Sequence, residues 1–330
     1  MRRYELTGRR SMHLAEDVPK PRPGPGEVLV KVGAATICNR SDLVYYHYLG
    51  ERDHCAVGVF GHEVAGTIVE VGDRVTRTVP GHRVFLRAPL TGGFADFALA
   101  REISVGALPD AVTFEAGAIL QLLPLAVHAT RGVSLGDRVA ILGQGPVGLM
   151  ALQVAALRGA GEIVVADLDP WRLARSATLG ADRTVVVDLA AEDPYRELGG
   201  DFDVAIEAIG TPQTANACVD LVRQNGLVIF LGTHHVDTKV TFDLVVWEKK
   251  GLRLHTAAEP TDADRVASMA VAERLIGRID TASLVSQVYP LDELPAAITR
   301  LSASSVLTPS GRPSQFPGPP PRTLKLAIVP

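Results

Sequence analysis

The sequence predicts an α/β protein with two domains, one β-rich and one built on a doubly wound parallel sheet. Two patterns indicate this. Up to about residue 120, short apolar strands alternate with turns, and from about Val127 to Glu259 strands alternate with helices. Strand and helix in alternation are typical of a parallel sheet with helices on both faces. The chain has 330 residues, 47% of them hydrophobic, which is enough for two separate cores.

The β-rich part is predicted from strands between turn-forming residues. Val28 to Val32 follows a run of Pro and Gly, and Glu63 to Val71 alternates in the same way. The last apolar run, Leu324 to Val329, is predicted to be a strand that returns to the first domain. The predicted domain boundaries are residues 1–126 with 263–330, and 127–262.

The second part contains five apolar runs that are predicted to be strands of the parallel sheet: Val139 to Leu142, Ile163 to Ala166, Thr184 to Val187, Val204 to Glu207 and Val228 to Leu231. Two helices are predicted after it, over Asp262 to Ile276 and over Leu291 to Leu301. The stretch from Ser302 to Arg322 is rich in Ser, Pro and Gly, which predicts a loop or a disordered insertion.

A glycine-rich turn joins the first of these strands to a helical pattern from Leu149 to Leu157. Gly143 permits a tight turn, Gly145 lets bare backbone approach a pyrophosphate, and Gly148 lets the helix pack closely on the strand. The phosphates would lie at the helix N-terminus. The turn therefore predicts a dinucleotide site, whose remaining candidate residues are Gln144, Pro146 and Val147.

An acid follows the second strand at Asp167, 19 positions (167 − 148) after the last glycine of the turn. A carboxylate there binds the ribose hydroxyls and repels a 2′-phosphate, so NAD is predicted as the cofactor and NADP is less favoured. Arg172 is close enough in sequence to soften that preference. The other interpretation is that Asp167 only caps the helix that begins near Pro170.

The composition excludes several classes of partner. A net charge of −4 provides no basic field for nucleic acid or an anionic membrane surface, so a small molecule is the expected partner. Three scattered cysteines form no disulfide framework, which indicates a reducing cytoplasm. We found no apolar signal core at the N-terminus and no apolar run that could span a bilayer, so the protein is expected to stay in the cytoplasm.

Besides the glycine-rich turn, the sequence contains a series of motifs at residues 23–30 (PGPGEVLV), 37–42 (ICNRSD), 60–63 (FGHE), 92–97 (GGFADF) and 136–139 (GDRV). Together these motifs resemble the medium-chain dehydrogenase/reductase superfamily, in particular its zinc-dependent alcohol and polyol dehydrogenases. The resemblance runs nearly end to end. It implies a β-rich, GroES-like catalytic domain that the C-terminal part completes, with a Rossmann nucleotide domain between the two pieces.

The resemblance implies one catalytic zinc. Thiolate, imidazole and carboxylate are ligand types that zinc takes, and Cys38 and His62 are the expected ligands. Glu63 is either a third ligand or a nearby carboxylate that exchanges with water. The family's remaining ligand, usually Glu, Asp or Cys, falls at Gln121 here, a weaker and neutral donor. The four cysteines of the family's structural zinc lobe are absent from the sequence, so no structural zinc is expected.

Further roles follow from the same resemblance. A Ser or Thr two residues past the cysteine relays the substrate proton in the family, and an Asp follows it; here Ser41 and Asp42 come one residue later. Asp42 would fix the tautomer of His62 by a hydrogen bond. The segment Tyr45 to His47 either passes a proton to solvent or packs at a wall of the site.

Two strand ends complete the predicted cofactor site. By resemblance, the backbone at Gly210 and at Leu231, Gly232 and Thr233 flanks the nicotinamide. These positions follow strands at the carboxyl edge of the sheet, where ligands bind in open α/β folds. Glu207 lies three residues before Gly210. It belongs either to this cofactor site or, equally, to the structural core as a buried acid.

These residues favour the reversible oxidation of a secondary alcohol to a ketone by NAD with one zinc ion. A polyol, sugar or cyclitol is the expected substrate and a homodimer or homotetramer the expected assembly. Two alternatives remain open at this point. One is a zinc-free reductase of the same superfamily that uses NADPH to reduce a quinone or an enoyl double bond, and the other is a nucleotide-binding protein without turnover.

Overall fold

A computed structural model describes residues 1–49, 58–232, 239–305 and 322–330 of the chain. The described residues form two compact units. Unit 1 is made of the described parts of 1–124 and 260–330, and unit 2 of those of 125–259. Each unit contains one extended sheet, so the two-domain α/β class that the sequence predicts is confirmed.

The described residues contain fifteen strands. In chain order they are β1 (Arg3–Gly8), β2 (Ser11–Ala15), β3 (Glu27–Thr36), β4 (Glu63–Val71), β5 (Arg83–Arg87), β6 (Phe97–Arg101), β7 (Val105–Ala107), β8 (Arg138–Leu142), β9 (Glu162–Asp167), β10 (Arg183–Val186), β11 (Phe202–Glu207), β12 (Val222–Phe230), β13 (Arg253–Thr256), β14 (Val285–Pro290) and β15 (Lys325–Val329).

Nine α-helices accompany the strands in the described part of the chain. They are α1 (Ser41–Tyr48), α2 (Phe114–Ile119), α3 (Leu122–Ala129), α4 (Pro146–Leu157), α5 (Pro170–Thr178), α6 (Pro212–Leu221), α7 (Leu244–Lys250), α8 (Asp262–Leu275) and α9 (Leu294–Ser305). No helix among the described residues has both the length and the apolar character that crossing a membrane requires.

Unit 1 is organised by a seven-stranded sheet in the order β14-β15-β3-β4-β5-β7, in which β6 also pairs with β3. Strand β15 pairs antiparallel with β3, with Ala327 opposite Thr36, so the predicted return of the C-terminal strand to the first domain is confirmed. Fully buried Val30, Val64 and Ile328 lie in the core of this unit. Because β3, β4 and β15 are neighbours, residues at their ends are brought together although they are far apart in sequence.

Unit 2 is a six-stranded parallel sheet in the order β10-β9-β8-β11-β12-β13. All five strands predicted for this region are present. Strand β13 was not predicted, because the sequence Arg253 to Thr256 has mostly exposed side chains at the edge of the sheet and carries no apolar run. The five strands other than β13 supply a core that is closed by buried residues of α6 such as Cys218.

Helix boundaries differ from the predictions by more than one residue at three places. Helix α4 begins at Pro146 rather than Leu149, because proline lacks only an N–H that has no partner in the first turn of a helix. Helix α9 begins at Leu294, since Leu291–Glu293 is a 3₁₀ turn. It continues through Ser305, so the predicted loop does not begin at Ser302. Residues 306–321, most of that predicted loop, lie outside the described part.

Candidate active site

The cluster of candidate metal ligands begins where β3 ends. Cys38 lies between β3 and α1, and its backbone N–H donates to Asp42 Oδ2 at 2.8 Å. The N–H of Ser41 approaches the Cys38 sulfur at 3.4 Å. Asp42 is fully buried in the first turn of α1. The loop from 38 to 42 is therefore closed on itself, with the sulfur fixed at the helix N-terminus.

His62 is held by the residues that precede β4. The N–H of Gly61 donates to Asp42 Oδ1 at 2.9 Å, so one carboxylate ties together the two loops that carry Cys38 and His62. Gly61 has φ +77°, and a Cβ there would lie 2.9 Å from the backbone nitrogen of Phe94. Only glycine fits this close approach without a shift of the backbone.

The orientation of the His62 ring is set by a carbonyl. Nδ1 lies 3.1 Å from the Val59 oxygen and 3.6 Å from Asp42 Oδ1. A carbonyl oxygen can only accept, so this hydrogen bond requires the proton on Nδ1 and leaves Nε2 as the lone-pair donor. The predicted partner, Asp42, is near, but the shorter contact is to Val59.

Cys38, His62 and Glu63 come together. One ligand atom from each lies within 4.8 Å of the others. Burial opposes ionisation of the Cys38 thiol, but the hydrogen bond and charge of His62 outweigh it and lower the pKa of Cys38. Burial likewise disfavours the imidazolium, yet Asp42 and Cys38 outweigh it and raise the pKa of His62 well above its usual value. Each of these two groups therefore favours the charged form of the other.

Glu63 is part of a buried ion pair that sequence reasoning missed. Its side chain is fully buried, and Lys325 Nζ lies 2.6 Å from Oε1 and 2.5 Å from Oε2. The Thr36 hydroxyl also donates to Oε2. A signal was present in the sequence, since a lysine inside the apolar run of β15 must find a buried anion.

Gln121 lies in the turn between α2 and α3, in the same compact unit as the cluster. It is 4% exposed, and its Oε1 atom has no hydrogen-bond partner among the described residues. A buried amide oxygen without a partner is costly in a folded protein. Such an atom is available as a neutral donor to a cation.

The segment after Asp42 mostly serves packing. Tyr45 is buried, its hydroxyl meets Gly58, and burial raises its pKa. His47 Nδ1 accepts from Arg10 Nε at 3.1 Å, and its Nε2 is 2.8 Å from the Ser302 hydroxyl. Burial and the neighbouring arginines lower the pKa of His47. This histidine thus joins α1 to α9 as a neutral, fully hydrogen-bonded group.

In unit 2 the glycine-rich turn has the geometry that its sequence predicts. Gly143 has φ +94°, which favours glycine. A Cβ at Gly148 would overlap the carbonyl oxygen of Gly143, so close helix packing requires glycine there. Gly145 is the N-cap of α4, and a Cβ on it would meet nothing within 4 Å. The turn therefore leaves open space in front of a helix N-terminus, as a pyrophosphate site needs.

Asp167 ends β9 beside this turn. Its Oδ2 accepts the Gln144 N–H at 2.6 Å, and its Oδ1 accepts the N–H of Asp169 at 2.9 Å. The interpretation of Asp167 as a helix cap is wrong, because the N-cap of α5 is Asp169. Arg172 Nη1 lies 3.9 Å from Asp167. The carboxylate is 8% exposed and keeps lone pairs for a ribose hydroxyl.

Gln144 serves to anchor the turn. Its side chain is fully buried and donates to the Gly143 carbonyl at 2.9 Å. The same amide accepts the Ser176 hydroxyl at 2.9 Å. Gln144 thus ties the turn to α5 through its side chain, and its backbone N–H is used by the neighbouring carboxylate.

The predicted nicotinamide positions lie at the ends of β11 and β12. Glu207 Oε1 accepts the N–H of Gly210 at 2.7 Å, and its carbonyl accepts the N–H groups of Leu231 and Gly232 at 2.9 and 2.8 Å. Glu207 therefore fixes both strand ends, which agrees with the structural role that the sequence left open for it. Thr233 lies outside the described residues.

The chain combines a glycine-rich dinucleotide turn with a cluster of sulfur, imidazole and carboxylate donors. This combination is typical of one class of protein, the metal-dependent dehydrogenases. Two family models match, the alcohol dehydrogenase GroES-like domain over residues 24–122 and the zinc-binding dehydrogenase domain over 146–269. The chain belongs to the zinc-dependent alcohol and polyol dehydrogenase branch of the medium-chain dehydrogenase/reductase superfamily, and it is an alcohol oxidoreductase.

Individual relatives agree with this assignment. The chain is 32% identical to human (Homo sapiens) sorbitol dehydrogenase over 255 residues, which cover 66% of this chain and 71% of the relative. It is 29% identical to sorbitol dehydrogenase of Bacillus subtilis over 86% of this chain and 89% of the relative. The alcohol dehydrogenase of a Thermus species is 25% identical, with a TM-score of 0.80 over 100% of this chain and 99% of that one.

Proposed function

We propose that the protein catalyses the zinc-dependent, NAD-linked oxidation of a secondary alcohol to a ketone, or the reverse reduction. The observation that carries this proposal is the convergence of Cys38, His62 and Glu63 ligand atoms within 4.8 Å. The sorbitol dehydrogenases among the relatives favour a polyol, sugar or cyclitol as the substrate.

The donor set fits zinc. A thiolate at Cys38, the Nε2 lone pair of His62 and the unpartnered Gln121 oxygen are ligand types that zinc accepts, and Glu63 is a carboxylate at the same place. Zinc, when bound, would lower the pKa of the substrate hydroxyl and stabilise the negative charge that develops on its oxygen.

The chain's own residues hold these donors and move the proton. Asp42 and the Val59 carbonyl fix the cysteine loop and the histidine ring. In the oxidation, the substrate carbon gives its hydrogen with two electrons to the nicotinamide, and the hydroxyl gives its proton to solvent. Ser41, the residue whose N–H faces the Cys38 sulfur, is proposed to relay that proton.

The proposed cofactor is NAD, bound at the glycine-rich turn, at Asp167 and at the strand ends near Gly210 and Gly232. The carboxylate of Asp167, held beside the turn, supports this preference. Arg172 supports residual use of NADP, because its guanidinium lies 3.9 Å from the Asp167 carboxylate and a nearby cation can accommodate a 2′-phosphate. A Sinorhizobium meliloti protein of the same fold, with a TM-score of 0.78 and 24% identity over 100% of this chain and 99% of that one, is bound to NADP.

Three further expectations accompany this function. We propose a homodimer or homotetramer, a cytoplasmic location, and one zinc per chain without a structural zinc. The boundaries 126/127 and 262/263 are proposed as those of the nucleotide domain.

The test is metal analysis of the purified full chain combined with an alcohol panel. We expect about one zinc per chain and NADH formation with at least one polyol, sugar alcohol or cyclitol. Cys38→Ser should lose both the zinc and the turnover. Cys218→Ser, in the core of unit 2, is the matched control and should keep the zinc.

Each contrary result points to a different alternative. A chain without zinc that oxidises NADPH with a quinone or an enoyl substrate would establish the zinc-free reductase. Tight NAD binding without turnover on any alcohol or ketone would establish a nucleotide-binding protein. Full activity of Cys38→Ser would remove the metal role of Cys38.

A further inference from the structure

Four basic side chains lie close together in unit 2, where a 3₁₀ turn after α3 packs against the edge strand β13. Arg131 is in that turn (Thr130–Gly132), and Arg253 and His255 are in β13. The fourth is His128, in the last turn of α3. None of these residues belongs to the glycine-rich turn or to the cluster of candidate metal ligands.

The turn covers the face of β13 that carries its basic side chains. Arg253 and His255 are two positions apart in the strand, so their side chains share one face of the sheet. A Cβ on Gly132 would lie 2.8 Å from Cε1 and 3.1 Å from Nδ1 of the His255 ring. The turn therefore lies directly against this ring, and Arg131 is the residue that precedes Gly132 in it.

The turn is fixed by a half-buried arginine at the end of α4. Arg158 Nε donates to the Thr130 hydroxyl at 3.0 Å, and its Nη2 donates to the Val127 carbonyl at 2.8 Å. Arg131 Nη1 donates to the His128 carbonyl at 2.7 Å. The Arg131 guanidinium is thus anchored through one nitrogen and keeps its other N–H groups for a further acceptor.

Arg131, Arg253 and His255 have no acid as an ion-pair partner among the described residues. The pKa of His255 is lowered by burial and then by the charges of Arg131, Arg253 and His128, which are all bases. Like charges on one face repel one another, and an anion bound between them would relieve that repulsion. The electrostatics of this place therefore favour a negatively charged ligand.

His255 can donate one hydrogen bond through Nε2. Its Nδ1 is buried against Gly132 and has no hydrogen-bond partner in the described part of the chain. A buried N–H without an acceptor is costly, so the neutral ring carries its proton on Nε2. The imidazole is then a donor, as the two guanidinium groups are.

We propose that Arg131, Arg253 and His255 form an oxyanion site that binds a phosphate group, carried either by inorganic phosphate or by a small phosphate monoester. Two guanidinium forks and an imidazole N–H suit the oxygens of a phosphate. Its charge of roughly −1.5 to −2 near neutral pH would offset both arginines. A bound phosphate would also join the turn to β13 and stabilise this edge of the sheet. The site does not depend on the oxidation proposed above.

The experiment is isothermal titration calorimetry of the full chain with inorganic phosphate and with glycerol 1-phosphate at matched ionic strength. Because the glycine-rich turn also favours phosphate, each titration is repeated with excess NADH to occupy that turn. The variants are Arg131→Gln, Arg253→Gln and His255→Leu. The control is Arg196→Gln, which removes one positive charge from an exposed position of unit 2 outside the cluster.

We expect the wild type and Arg196→Gln to bind phosphate equally, with and without NADH. Each of the other two arginine variants should lose about tenfold or more in affinity, and His255→Leu roughly three- to tenfold. Phosphate should raise the unfolding temperature of the wild type and not that of Arg131→Gln or Arg253→Gln. Tighter binding of glycerol 1-phosphate would identify a monoester as the ligand, and tighter binding of inorganic phosphate would identify the free ion.

Three results would overturn this oxyanion site. One is wild-type affinity for phosphate in both Arg131→Gln and Arg253→Gln. Another is an equal loss in Arg196→Gln, because the effect would then come from net charge alone. The third is the disappearance of all phosphate binding in excess NADH, which would confine the binding to the glycine-rich turn.

Discussion

The two candidate sites of this chain are built in opposite ways. In unit 1, side chains from the loop after β3, from the residue before β4 and from the start of β4 converge on one point, and buried charged groups such as Asp42 and Lys325 hold them. In unit 2, the turn after β8 uses the absence of side chains, with Gly143 and Gly148 making room for backbone contacts. One site depends on donors and charges, the other on shape, so they should fail under different substitutions.

The largest expected difference is in the reactivity of two cysteines. Cys38 is partly exposed and its pKa is lowered, whereas Cys218 is fully buried and burial, together with Glu207, raises its pKa well above the usual value. In zinc-free protein at neutral pH, iodoacetamide should label Cys38 at least roughly a hundredfold faster. Peptide mass spectrometry measures both rates, and added zinc should protect Cys38. Equal rates would contradict the lowered pKa of Cys38.

Removal of the Asp42 carboxylate should damage unit 1 alone. Asp42→Ala leaves the buried N–H groups of Cys38 and Gly61 without acceptors, at a cost of about 3 kcal/mol in the free energy of unfolding. Zinc affinity should fall as well, while NADH binding, measured by fluorescence, is retained. Ser41→Ala on the same helix is the control, with a change below about 1 kcal/mol. A weaker effect of Asp42→Ala than of the control would contradict the structural role.

Substitutions at two glycines of the turn in unit 2 should distinguish an effect on protein stability from an effect on cofactor binding alone. Gly148→Ala forces a methyl group onto the Gly143 carbonyl and should cost about 1–3 kcal/mol in stability, together with NADH affinity. Gly145→Ala places its methyl in open space, so stability should change by less than about 0.5 kcal/mol while NADH affinity still falls. Thermal unfolding and NADH titration measure the two effects. Zinc content should be unchanged in both, and similar stability losses would contradict this division.

The smallest expected effect is a pH dependence at the end of α1. Burial, Arg10 and Arg9 lower the pKa of His47 in the folded chain. At a pH between the folded and unfolded pKa values, the unfolded chain therefore binds a proton at this histidine and the folded chain does not. Stability should therefore fall as pH falls below about 6.5. His47→Gln should flatten that part of the profile of unfolding temperature against pH. A wild-type profile that is flat from neutral pH downward would show that His47 is not held neutral.

The sequence predicted those parts of the molecule that depend on local patterns. Apolar runs located β8 and β9, and glycine spacing located the turn between β8 and α4. Cys38 and His62 were found by their sequence contexts, and the structure brings them together.

Contacts between distant residues were beyond sequence reasoning. The pairing of Lys325 with Glu63 joins strands from the two ends of the chain, and no local pattern names the partner. The Val59 carbonyl that orients His62 is a backbone atom, for which residue type gives no signal. Either Asp167 or Asp169 could cap the helix by residue type, and the backbone angles that make Asp169 the cap cannot be inferred from the sequence.

The central claim is a zinc ion held by one sulfur and by nitrogen and oxygen donors in unit 1. X-ray absorption spectroscopy of the zinc-loaded protein tests it most directly. We predict one sulfur at about 2.3 Å and the remaining donors, nitrogen or oxygen, at about 2.0–2.2 Å, with the sulfur shell lost in Cys38→Ser. A first shell without sulfur, or a sulfur shell that survives this substitution, would contradict the account.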